Sequence, residues 1–225
     1  MAAVASGTVY SSGYASGTLT RGTIDIYGTT SSTVILGNDG VEIINYGGKS
    51  YDTVVESGAI QQVNGGSAIR TMCRNGGRQI VEIDGKAIDT IIFNGGTMEI
   101  KSRGTASSTK LYGGMLISSR GIASSTTILG GTMTISSGGS AIATQIRGGG
   151  LQIIHSGATL IGNIVSDGGM TYSQGTSNLM ISGRPVAGYS RDLEGSGNAI
   201  QSLCVYINQT SRVALAAGTS WNYFC

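Results

Sequence analysis

Residues able to do chemistry are few in this chain, and their spacing works against them. The one histidine, His155, stands near the end of an expected strand just before a glycine turn. With no second histidine to join it, a typical metal cluster cannot form. Serine is abundant, but no G-x-S-x-G elbow with histidine and acid partners is present. The tightest grouping of acids is Glu82, Asp84 and Asp89. Glycan-cleaving enzymes hold two carboxylates about 5 to 9 Å apart across the scissile bond, and a solvated corner is the simpler reading of this trio. Gly148, Gly149 and Gly150 are followed by neither Lys-Ser/Thr nor a helix start, so they do not make a phosphate loop. We expect no catalytic, cofactor-binding or metal-binding residues, and a protein that is not an enzyme.

The three cysteines permit at most one intrachain disulfide. Cys73 stands where neighbouring repeats carry Ile, Leu or Val, which marks it as a small buried hydrophobe. Cys204 and Cys225 are the possible pair, and a bridge there suits an oxidising exterior. Asn208, Gln209 and Thr210 match a glycosylation acceptor of low specificity.

The elements that carry these residues are written in the glycines. Of 225 residues, 38 are glycine and one is proline, with 12% charged and 6% aromatic residues. Such a chain turns often, and its regularly placed apolar residues argue against disorder. The formal charge of +2 contains no Lys or Arg run, which excludes a nucleic-acid footprint. No stretch approaches the roughly 20 apolar residues of a membrane span.

Between residues 13 and 168 one phrase recurs nine times: glycine, small residues, threonine, an apolar residue two positions on, then glycine. Its first glycines lie 15 to 20 residues apart. A period near eighteen means a stacked array. The threonine column runs Thr18, Thr33, Thr53, Thr71, Thr90, Thr109, Thr126 and Thr144, and two residues later stands Thr20, Ile35, Val55, Cys73, Ile92, Leu111, Ile128 or Ile146. Two apart on a strand is one face, so both columns point the same way, with the aliphatic one inward. A second strand-like segment is clearest at Met98 and Ile100, Met115 and Ile117, Met133 and Ile135, then Leu151 and Ile153, all expected inward. Paired glycines such as Gly95 and Gly96 or Gly113 and Gly114 mark corners needing positive φ or close backbone approach. The alanines three residues before the column threonine are expected to form a tight inner bend.

A strand, corner, strand, corner unit of this length stacks as a parallel β-helix, an all-β solenoid of about nine coils. Two parts follow: a repeat array over residues 1–169 and a distinct segment over 170–225, holding the only proline (Pro185) and tryptophan (Trp221), expected as a C-terminal cap or an assembly joint.

Paired glycine, apolar strand, G-x-A-S-S-T, apolar strand and paired glycine, most clearly over residues 95–149, resembles the repeat of autotransporter passengers of the diffuse-adherence (AIDA-type) adhesin family. The resemblance spans residues 7–169. It implies a single-stranded right-handed parallel β-helix, displayed on a bacterial surface or secreted, that acts in adhesion to host cells or sister cells, in autoaggregation and biofilm, and in some members carries sugars on Ser or Thr. Such proteins end in a membrane β-barrel, so this chain is expected to be a passenger fragment or a free-standing secreted rod.

Two functions follow. An adhesive module would bind a second copy of itself, or a host glycan or protein, with Tyr10, Tyr14, Tyr27, Tyr46, Tyr51, Phe93 and Tyr112 as contact aromatics, since aromatics favour interfaces. Alternatively the chain is a structural subunit of a surface fibre or a phage tail-spike-like assembly, joined through residues 170–225. A glycan-cleaving enzyme is a distant third.

Overall fold

The computed structural model describes residues 3–4, 6–165, 168–174, 178–183, 191–194, 200–205 and 213–215, with side chains described over 6–165 and 168–172. It is an all-β parallel solenoid of about nine turns, with no helix among the described residues. Each coil contributes three strands rather than two. In one coil these are Ser67–Ile69, Met72–Cys73 and Arg78–Val81. The four-residue strands build a 12-stranded sheet and the two short ones share a 20-stranded sheet. Within the array each strand pairs in parallel with its counterpart one coil on, Ala68 beside Ala87 and Ile92 beside Leu111, for example.

The third strand arises where an inner bend was expected. Ala68, Ala87, Ala106, Ala123 and Ala141 are buried in the middle of three-residue strands. The bend falls two residues later, on the residue before each column threonine. There Gly17, Ser32, Asp52, Arg70, Asp89, Ser108, Ser125, Ala143 and, in the last of these coils, where Asn163 replaces the threonine, Gly162 all have φ between 52° and 65°. A left-handed residue reverses the side-chain alternation, so the alanine and the threonine three positions apart both face inward.

The interior is lined coil by coil. Ile35, Val55, Cys73, Ile92, Leu111, Ile128 and Ile146 form one fully buried column, and Ile26, Ile44, Val63, Val81, Ile100, Ile117, Ile135 and Ile154 another. Full burial of each such side chain is worth about 1.5–3 kcal/mol, and burial also pushes the Cys73 thiol pKa well up. The expected inward pair Leu151 and Ile153 points outward instead; Gln152 and Ile154 are buried. A one-residue slip moves a whole strand's side chains to the other face, and the third glycine of residues 148–150 supplies that extra residue in the corner.

Parallel pairing continues past Gly169. Met170–Gln174 stacks on Leu151–Ile154, Asn178–Gly183 on Thr159–Val165, and Arg191–Glu194 on Met170–Gln174. The described strands beyond that point therefore extend the stack. The Cys204–Cys225 pairing and the Asn208 acceptor lie outside the described residues, apart from the backbone of the strand Ile200–Val205.

Candidate functional site

The seven aromatics do not form one surface. Backbone pairing puts Tyr10 and Tyr27 on adjacent coils at one corner, where the Tyr27 N–H donates to Val9 O; Tyr46 follows on the next coil, its ring against Gly65. All three are exposed, Tyr46 by 83%. Tyr14 and Tyr51 lie instead on the outer face of the short strands. Phe93 and Tyr112 occupy a third edge, stacked with ring centroids 6.3 Å apart and planes 12° apart.

Between residues 52 and 103 the outer surface carries ion pairs that join neighbouring coils. Arg70 donates twice to the Asp52 carboxylate, at 2.7 and 2.8 Å, and its guanidinium carbon lies 5.6 Å from the Tyr51 ring centroid. The Arg70 hydrogen bonds hold the Asp52 carboxyl below its usual range. Arg74 pairs with Glu56, Lys101 with Glu82, Arg103 with Asp84 and, at 3.9 Å, Arg78 with Glu99. The acid trio is thereby divided. Glu82 and Asp84 each face a cation of the next coil, whereas Asp89 occupies the left-handed corner at the far end of the strand Lys86–Ile88.

The next stretch has a different surface. Between residues 104 and 166 there is no carboxylate, and exposed serines stand at two corners: Ser108 and Ser125 at one, Ser119, Ser137 and Ser156 at the other. His155, half-buried, lies on the strand side of that second corner, its N–H donating to Ile135 O.

Sequence reasoning missed the polar chemistry inside. Glu42 is fully buried, with Thr30 Oγ1, Ser50 Oγ and Gln61 Nε2 donating to its carboxylate at 3.1, 3.0 and 2.7 Å. Desolvation raises its pKa, against the pull of those hydrogen bonds. Gln79 Nε2 donates in turn to Gln61 Oε1 at 2.7 Å. The column threonines depend on this row. Thr71 donates to Gln61 Oε1 and Thr90 to Gln79 Oε1. Where the row carries Met98, Met115 or Met133, the hydroxyls of Thr109, Thr126 and Thr144 have no hydrogen-bond partner among the described residues. The signal was legible as E, Q and Q at the second position of VEII, IQQV and RQIV.

These surfaces are those of a rod that presents side chains outward. Residues 62–114 match the family described as adhesin of bacterial autotransporter system, probable stalk. The crystal structure of a TibC-catalyzed hyper-glycosylated TibA fragment is similar over 89% of this chain and 73% of that one, at 28% identity and a TM-score of 0.75. No curated protein matches the chain. The repeat is thus similar to that of adhesin-like autotransporter passengers, bacterial proteins displayed at the cell surface or secreted.

Proposed function

We propose that this adhesin-like passenger is a non-enzymatic rod through which bacterial cells adhere, to one another first and to host surfaces second. The observation that supports this reading best is the correspondence of the stack with an autotransporter passenger fragment along 89% of its length. The charge pattern favours self-association. Residues 52–103 expose neighbouring groups of both signs, and exposed pairs of this kind add little to stability. Two rods side by side in opposite directions set the cations of one against the carboxylates of the other.

The serine corners suit a second property. Ser108, Ser119, Ser125 and Ser137 are exposed on a stretch without carboxylates, and we assign them as sugar acceptors, in line with the hyper-glycosylated TibA fragment. We assign residues 170–225 the role of a cap or an assembly joint.

Cells displaying the full chain are expected to settle faster than cells without it, and added salt should slow that settling because exposed charge pairs are screened over roughly 8 to 10 Å. Suspensions that stay dispersed at low salt and high density would overturn the reading.

A further inference from the structure

One coil has a gap in its outer wall. From the last buried aliphatic of the short strands to the first outward residue of the long strand, the corner runs Ile92 to Thr97, Leu111 to Gly114 and Ile128 to Thr132. The middle corner is the shortest. Gly113 therefore takes the close-packed place, where a Cβ would run into the carbonyl oxygens of Gly96 and Phe93. Its partner Gly114 is pulled into the long strand, between Thr97 and Thr132 of the adjoining coils.

Gly114 is not a corner glycine, contrary to the sequence expectation. It has no positive φ, and a Cβ there would meet only Thr97 Cγ2 at 3.6 Å, an ordinary contact. The fold accepts a side chain at this position, and glycine leaves a hollow. A glycine inside a strand often marks close approach by a ligand or another backbone.

The hollow is an open depression of about 390 Å³ on the outer face of the long-strand sheet. The side chains that rise around it include Arg78, Thr97, Glu99, Leu116, Thr132 and Thr134. Arg78 and Glu99 stand 3.9 Å apart and both keep access to solvent, so each has hydrogen-bonding capacity to spare. The Phe93–Tyr112 stack sits on the corner leading into it, Tyr112 two residues before Gly114.

We propose that this hollow is a saccharide subsite that holds one pyranose ring of an oligosaccharide, and that it supplies the host-binding half of the adhesive function above, on which it rests. A sugar ring presents hydroxyls at its edge and C–H groups on its faces. The walls answer both, with a guanidinium, a carboxylate and three threonine hydroxyls beside Leu116. An added peptide strand is disfavoured because the backbone groups of Arg78–Val81, Thr97–Ile100, Gly114–Ile117 and Thr132–Ile135 already pair between coils. Recognition here falls to side chains.

Filling the gap is the test. Gly114→Thr continues the Thr97 and Thr132 column and should leave thermal unfolding unchanged or raised, since threonine favours strands over glycine. Binding of N-acetyllactosamine and of its sialylated form to the full chain is followed by NMR shift mapping. Shifts are expected at the hollow, with affinity reduced about tenfold or more in Gly114→Thr and in Arg78→Ala. Binding of neither sugar, shifts elsewhere on the rod, or unchanged affinity in Gly114→Thr overturns the subsite. Loss of self-association in Gly114→Thr without sugar binding makes the hollow a contact between copies, which also overturns it. If both sugars bind at the hollow but cells displaying the chain do not adhere, the subsite stands and the adhesive reading falls.

Discussion

Gln61 hands its side-chain amide to Glu42 across one coil spacing, Nε2 to Oε2 at 2.7 Å, in an interior where both residues are completely removed from solvent. Among the described residues the carboxylate meets neutral donors: Thr30, Ser50, Thr53 and Gln61. An ionised group in such a place carries a desolvation cost that hydrogen bonds offset in part.

The pH dependence follows from that balance. Burial raises the Glu42 pKa above its ordinary 4.5. A carboxyl that holds its proton more tightly when folded contributes stability fully below the unfolded value and loses it as pH rises through the folded one. Glu42→Gln keeps the shape and extends the Gln61–Gln79 row, so its melting temperature should exceed that of the parent at pH 8 and approach it at pH 4. Asp52, whose pKa is lowered, acts with the opposite sign in both proteins, so the difference between them isolates Glu42. A variant less stable than the parent at pH 8 would show the carboxylate to be a net asset.

The threonine column should split by coil. Thr126 buries an unpartnered hydroxyl, so Thr126→Val is expected to raise stability by about 1 kcal/mol. Thr71 donates to Gln61, and Thr71→Val is expected to cost about 1 kcal/mol. Denaturant unfolding of the two variants measures both; equal effects would mean that the column acts through strand propensity alone.

Ala143 holds a φ of 52° at the bend before Thr144, where Gly162 serves one coil later at 64°. An alanine in the left-handed region is strained by about 1 kcal/mol. Ala143→Gly relieves the strain at the expense of chain entropy, for a net gain of several tenths of a kcal/mol. Thermal unfolding would register this as a small rise in midpoint, and a fall would contradict it.

The Cys73 thiol is fully buried and its pKa raised by desolvation. A thiol-specific alkylating reagent at pH 8 should leave the peptide bearing Cys73 unmodified in the folded protein and label it fully in denaturant, as read by mass spectrometry. Rapid labelling of the native chain would place Cys73 at the surface.

Repetition is what the sequence determined by itself. Threonines and aliphatics two apart, recurring every eighteen or so residues, have one arrangement that buries them all, so the stack and the inward columns of Ile35, Val55, Cys73 and Ile92 follow from pattern. Composition likewise announced a surface with little charge, and the repeat announced its resemblance to autotransporter adhesin passengers. Only the tertiary structure decided what depends on corner length. A corner holding one residue more turns Leu151 and Ile153 outward, and a shortened one draws Gly114 into the wall. The left-handed bend that makes a third strand, and the separate corners and faces over which the aromatics are spread, depend in the same way on backbone angles. A column repeats its chemistry and can be read along the chain, but the angle at which each corner releases the next strand is set by the coils above and below it.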